Sequence, residues 1–394
     1  MTRIESTLAR LCLIIISFIF TFVLIESLSN FYLWNIADEA TFRFFATIDQ
    51  VKSRYGQDFY TDGSELLYEP HHYIGYIPRI NHRTDTNYHN ALGFRGDEIT
   101  IEKPDDIYRI VSVGASTTYG IGEPRPQNSY PSLLQDYLHA NNYTNVEVIN
   151  AGVGGYTSYE SLLNLQMRVL PLEPDLIVIY QGSNDIHARF IWPPDAYLGD
   201  NSGYREPRVQ DIVIPKIWEY STVLRMIGIQ LGLTLSQSDI DWGRNNWSPS
   251  SQYNLLNQQH RSGIYPSGIF TDISAVEMLD ANPPINFERN LRNMVATSLA
   301  NDVEVLLMTY VINPEFGEFK VSSDAYISAT SEHNDITRAM SEQMGTFLID
   351  LATTFPQSQE HFTDGRHFTR SGNLIIAEQV GTYIIDNIFE TEAE

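Results

Sequence analysis

Ser116 is the residue of this chain best placed to act as a nucleophile. It stands in IYRIVSVGASTTYGIG, residues 107–122, where Arg109–Val113, which reads as a short buried strand, breaks at Gly114-Ala115-Ser116-Thr117. A strand that runs into a small-residue turn and then a helix holds a side chain up at the C-terminal edge of a parallel sheet. Helix N–H groups lie close by. A serine there has a simpler use as well, as the cap of the following helix. Three further blocks decide between the two: Gly154-Gly155, Gly182-Ser183-Asn184-Asp185 and Asp364-Gly365-Arg366-His367. Acyl transfer needs what these blocks offer jointly: a hydroxyl, an imidazole to take its proton, a carboxylate to fix the imidazole, and donors for an oxyanion. Only Gly365 and Arg366 separate Asp364 from His367. That spacing sets both on one short loop, where the carboxylate reaches the ring from below.

The elements that position these blocks begin at Asp106. Strands are expected at Arg109–Val113, Val146–Asn150, Asp175–Tyr180, Val303–Val311 and Thr346–Leu351. The third, DLIVIY, has no polar face, as suits a central parallel strand. Helices are expected at Tyr130–Asn141, with Leu133, Leu134, Tyr137 and Leu138 on one face, and at Ser161–Val169, ended by Pro171 and Pro174. Two more cover Tyr326–Met344 and the stretch from near Ser371 to about Phe389. This alternation predicts an α/β fold, a doubly wound parallel sheet of five strands. The four blocks then follow strands one, two, three and five and share one edge. Residues 190–286 interrupt the pattern between strands three and four. They hold Trp192, Trp218, Trp242 and Trp247, either to overhang the site or to pack the insertion onto the domain.

Upstream, Leu11–Ile25 carries no charge, and Leu8–Leu28 has about the 20 residues a membrane helix needs. The arginines before it and the acidic chain after it favour an inside N-terminus with the bulk outside. The length of the run and its bulky β-branched content favour an uncleaved signal anchor over a peptide cleaved at Ser27-Leu28-Ser29. Three segments are therefore expected: an anchor over 1–29, a Tyr-, Phe- and His-rich leader over 30–105, and a catalytic domain over 106–394. In the leader, 30–56 reads as partly helical and Tyr68–Gly96 as extended chain with turns. Its histidines, His71, His72, His82 and His89, match no standard metal spacing and read as ordinary loop residues. A net charge of −24 argues against nucleic acid or an anionic membrane surface as the main partner. The lone Cys12 excludes an intrachain disulfide. Of two sequons, Asn142-Tyr143-Thr144 and Asn246-Trp247-Ser248, the second is weakened by Pro249.

Taken in order, the blocks resemble those of the SGNH/GDSL hydrolase family, over Asp106 to the C-terminus apart from the insertion. The resemblance implies a flavodoxin-like three-layer α/β/α fold, with no metal or organic cofactor. It implies Ser116 as nucleophile, His367 as general base and Asp364 as its orienting partner. The oxyanion donors would be the Ser116 N–H, the Gly155 N–H (or Gly154, if the alignment slips by one) and the Asn184 side-chain amide. Polar His333-Asn334-Asp335 falls on the penultimate helix, where the family often has polar residues. The eponymous Gly-Asp-Ser-Leu is Gly114-Ala115-Ser116-Thr117 here, and the lost aspartate is not a triad member. With the Gly93-Phe94-Arg95-Gly96 lead-in and the anchor, this looks more like membrane-tethered bacterial members, some of which act on acylated carbohydrates. The implied function is an extracytoplasmic serine esterase removing acetyl or another short acyl group from a glycan or small molecule. An O-acyltransferase with the same triad, a lipid esterase and a non-catalytic binding protein are the alternatives.

Overall fold

The structure, a computed structural model, describes residues 3–55, 67–190, 194, 197–200, 218, 220–234, 236, 274–316 and 324–390. The chain divides into two units, Met1–Gly63 with Pro207–Trp247, and Ser64–Glu206 with Ser248–Glu394. Trp192, Trp242, Trp247 and the second sequon lie outside the described residues.

In the larger unit a two-stranded antiparallel hairpin, β1 (Tyr68–His71) and β2 (Gly75–Pro78), precedes a five-stranded parallel sheet. Its strands are β3 (Tyr108–Gly114), β4 (Val146–Asn150), β5 (Leu176–Tyr180), β6 (Glu304–Met308) and β7 (Phe347–Ile349). They lie in the order β4-β3-β5-β6-β7, so all five expected strands form, within a few residues of their expected ends. Successive side chains of a strand face opposite ways. Leu176, Val178, Tyr180, Leu306 and Met308 therefore enter one core layer, with Leu134, Leu138, Ile376 and Val380 from the Tyr130–Ala140 and Arg370–Ile384 helices. Ile177, Ile179, Val305 and Leu307 enter the other, with Phe287, Leu291 and Met294. Both faces are covered, which is the three-layer α/β/α fold.

The second layer includes an element the alternation did not yield, the Ile285–Leu299 helix. It carries the crossover between the parallel strands β5 and β6, a connection that needs a dozen or more residues. The helix expected from Ser161 begins earlier, at Ser158, because Thr157 and Glu160 form a capping box there. Strand order turns back at β3, whose neighbours are β4 on one side and β5 on the other. That turning point is where open α/β sheets leave a crevice outside the strand ends.

The smaller unit contains the Arg3–Asn35 helix, the short Glu39–Phe45 and Ile48–Tyr55 helices and the Thr222–Gln230 helix. Leu33, Phe42, Ala46 and Val51 form its core. Arg10–Asn35 is 26 residues, its most apolar 18-residue stretch has a mean hydropathy of 2.6, and by length and composition it is a candidate membrane span.

Candidate active site

Ser116 opens a single helical turn, Ser116–Tyr119, directly after β3. Its hydroxyl is not a cap. The residue at the cap position is Ala115, and the turn closes at Gly120, whose φ of 91° lies in the left-handed region that glycine tolerates. Space forces the glycine before it: a Cβ on Gly114 would run into the Thr118 hydroxyl and the Tyr180 carbonyl. The loop after β4 packs against the same turn through Gly152, where a Cβ would meet the Tyr119 nitrogen.

Beneath the turn lies Arg95, buried at 4% exposure. Its Nη1 donates to the carbonyls of Tyr119 (2.5 Å) and Gly120 (3.1 Å), and its Nη2 to those of Glu123 (2.8 Å) and Pro124 (3.1 Å). Nε donates to Asn87 Oδ1 at 2.9 Å. A charged fork that collects four carbonyls fixes the chain just beyond Ser116.

His367 joins Ser116 to Asp364. Its Nε2 is 2.7 Å from Ser116 Oγ and its Nδ1 is 2.6 Å from Asp364 Oδ2. Asp364 Oδ1 accepts the backbone N–H of Arg366 (2.8 Å) and of His367 (2.7 Å), so the carboxylate shapes the loop that carries its own partner. The Gly365 carbonyl accepts from Asn313 N at 2.8 Å, and Thr363 N donates to the His367 carbonyl at 2.8 Å. Burial alone would raise the Asp364 pKa. The His367 hydrogen bond and charge, the Arg366 guanidinium and the loop N–H outweigh it and hold the carboxyl well below its usual range. With Asp364 ionised, the imidazole keeps a proton on Nδ1 and turns a bare Nε2 to the serine. His367 is buried at 8% exposure, while Ser116 and Asp364 are half-buried.

The other two blocks are interlocked. Asn184, in the Ser183–Arg189 helix after β5, donates from Nδ2 to the Tyr156 carbonyl at 2.9 Å, next to Gly155, whose φ is 84°. Asp185 faces away from chemistry: it accepts from Ser158 N (2.9 Å), Ser158 Oγ (2.5 Å) and Gln181 Nε2 (3.0 Å). Burial pushes its pKa up to about 7 despite those donors. Tyr76 Oη donates to the Gly154 carbonyl at 2.9 Å, the Tyr156 hydroxyl donates to the Tyr76 carbonyl, and Tyr68 Oη packs on Gly154. The hairpin is thus a clamp on the glycine loop. Of these contacts, the sequence signalled only a tyrosine-rich leader and the Gly-Phe-Arg-Gly run.

Other singled-out residues have structural roles. Asn334 ties its helix to the Tyr310 backbone through both amide atoms, at 2.6 and 2.9 Å. Asp335 pairs with Arg338, and His333 is buried against Phe287. His89 lies between the Arg79 carbonyl and Tyr119 Oη, each at 2.8 Å, and burial holds its pKa down to about 3. His71 accepts from Ile74 N at 3.2 Å within its own turn.

Residues 112–375 match the sequence profile of the GDSL-like Lipase/Acylhydrolase family. The chain belongs to that family. As an acylhydrolase of this family it is a carboxylic ester hydrolase. Among solved structures it is similar to the lipase/acylhydrolase from Enterococcus faecalis, at 18% identity over 71% of this chain and 95% of that one, with a TM-score of 0.41. It is also similar to the acetyl xylan esterase AlAXEase, at 17% identity over 70% and 99% with a TM-score of 0.41. A third is a catalytic mutant of Axe2, an acetylxylan esterase from Geobacillus stearothermophilus, at 12% identity over 69% and 92% with a TM-score of 0.40. No curated protein sequence matches significantly. In this GDSL-like acylhydrolase the position before Ser116 is Ala115, buried at 6% exposure.

Proposed function

We propose that this acylhydrolase is a serine esterase in which Ser116, His367 and Asp364 form the catalytic triad. The observation that carries the reading is the unbroken hydrogen-bonded line from Ser116 Oγ through both ring nitrogens of His367 to Asp364 Oδ2. His367 Nε2 takes the serine proton as Oγ attacks the acyl carbon, and Asp364 holds the imidazolium that results. The tetrahedral oxyanion is held by the N–H groups of Ser116 and Gly155 and by the Asn184 amide. One N–H of that amide is spent on Tyr156, which sets the plane in which the second points. Collapse expels the alcohol with the proton from His367. Water activated by the same ring then releases the acid and restores Ser116.

The substrate in this reading is an acetyl or other short-chain ester on a carbohydrate or small molecule, reached outside the cytoplasm by a domain over residues 106–394 with an insertion at 190–286. The Gly-Phe-Arg-Gly and Gly-Ala-Ser-Thr-Thr blocks and the arginines ahead of the apolar span support it. The test takes the full chain in detergent beside Ser116→Ala, with 4-nitrophenyl acetate, butyrate and octanoate as substrates and a fluorophosphonate as mass label. Acetate turnover with a single adduct, both lost in the variant, is expected. Turnover that survives Ser116→Ala overturns the triad, and preference for octanoate overturns the short-acyl assignment. A single adduct without turnover selects an acyltransferase that awaits an acceptor hydroxyl.

A further inference from the structure

We propose that the 221–234 segment is a second membrane-contacting element, a helix whose uncharged face lies in the interfacial layer of a lipid bilayer beside the N-terminal span. The inference rests on the anchored reading above and extends it to a stretch 195 positions further along the chain.

Depth comes first. At about 1.5 Å per residue, a helix crosses the roughly 30 Å hydrocarbon layer in about 20 residues. The 26-residue span is longer than that, so its last turns reach the headgroup layer. Phe31, Tyr32 and Trp34 are exposed at that end, the position favoured by ring systems with one wet and one apolar side. The only ionisable side chain between Leu11 and Asn35 apart from Cys12 and Tyr32 is Glu26, about one turn deeper than Asn30. A carboxylate there must be paired. It accepts Thr222 N at 2.7 Å and Asn30 Nδ2 at 2.9 Å on Oε1, and Ser221 Oγ at 2.7 Å and Val223 N at 3.1 Å on Oε2. Thr222 Oγ1 donates to Asn30 Oδ1 at 3.0 Å. The Thr222–Gln230 helix therefore begins at the level of Glu26, with its positive end on that charge.

Direction comes second. Arg225 is the only charged residue from 221 to 234, and it is buried, with Nε donating to the Ala46 carbonyl at 2.8 Å. Thr222 and Gly228 are buried with it. Facing outward are Ile227 (49% exposed), Leu231 (66%) and Leu233 (61%). A helix that turns its charge inward and its aliphatic residues outward, docked on an apolar span, presents the amphipathic pattern of an interfacial helix.

The test uses the full chain with Cys12→Ser, reconstituted into phosphatidylcholine vesicles, and a single cysteine at Ile227→Cys or Leu231→Cys carrying a nitrobenzoxadiazole probe. At both positions we expect at least twofold quenching by lipids with a nitroxide near the headgroup, and little by aqueous iodide. Adding Glu26→Ala should cut the lipid quenching by half or more while the protein still floats with the vesicles. Iodide quenching without lipid quenching in floating protein overturns the proposal and leaves the anchor intact. So does a disulfide between copies of the unlabelled Leu231→Cys protein under mild oxidation together with absent lipid quenching in the labelled one, since a second chain then covers this face. Protein that does not float overturns the anchored reading itself.

Discussion

Arg95 grips Tyr119 twice. Its Nη1 donates to the Tyr119 carbonyl at 2.5 Å, and its guanidinium carbon lies 4.5 Å from the centre of the Tyr119 ring. Tyr119 ends the turn that Ser116 begins, so a residue of the leader sets the far end of the segment that presents the candidate nucleophile. Lysine keeps the charge and loses the planar fork. Arg95→Lys is expected to lower kcat about 10- to 100-fold with KM little changed. The loss of several buried hydrogen bonds should cost about 2–4 kcal/mol in urea unfolding. Unchanged kcat would separate Arg95 from the serine turn.

Asp364→Asn should preserve the loop and destroy the chemistry. The remaining oxygen still accepts the N–H groups of Arg366 and His367, while the new amide turns a donor toward His367 Nδ1. The ring then protonates on Nε2 and cannot take the serine proton. We expect kcat to fall about 10⁴-fold, with near-native circular dichroism and retained binding of a substrate analogue. A fall below tenfold would remove Asp364 from its role.

Asp185 gives a pH dependence of definite sign. Its pKa in the folded chain, about 7, exceeds the ordinary 3.8, so between those values the folded state binds more protons than the unfolded state. Its contribution is fully present below pH 3.8 and is lost as pH rises through about 7, an effect on the order of a few kcal/mol. Asp185→Asn removes the titration. Between pH 5 and 8 the variant should lose less Tm than the native chain, and equal losses in the two would contradict the assignment.

Two glycines should respond unequally to alanine. At Gly114 the obstruction includes the Tyr180 carbonyl, which cannot move without disturbing β5, and Gly114→Ala is expected to cut activity at least 100-fold or to yield little folded protein. At Gly345 the space is open and only its φ of 67° opposes a side chain. Gly345→Ala should cost about 1 kcal/mol with activity intact, measured by unfolding and turnover side by side.

How much of this was legible follows from the range of each interaction. Runs such as Leu176–Tyr180 announce strands because every residue is apolar, and Asp364 and His367 sit close enough in sequence for their pairing to be read directly. Ile285–Leu299 carries a legible stripe of Phe287, Leu291, Met294 and Val295, but it lies between the 190–286 interruption and the Val303–Val311 strand, a stretch to which the alternation assigns no element. Arg95, Tyr76 and Tyr156 act across dozens of residues, and nothing in their local spacing names their partners. Asp185 shows the limit of residue type: adjacent to Asn184 in the same block, it is a buried acceptor holding the Ser158 helix start.

Ser116 and His367, hydrogen-bonded to each other, are 251 positions apart in the chain. At a synthesis rate of roughly 5–20 residues per second, the hydroxyl is made about 13–50 s before the imidazole that is to activate it. In the proposed mechanism, the nascent chain holds the candidate nucleophile through that interval with no base in place. If Ser116 and His367 act as proposed, hydrolysis has to wait until His367 has been synthesised.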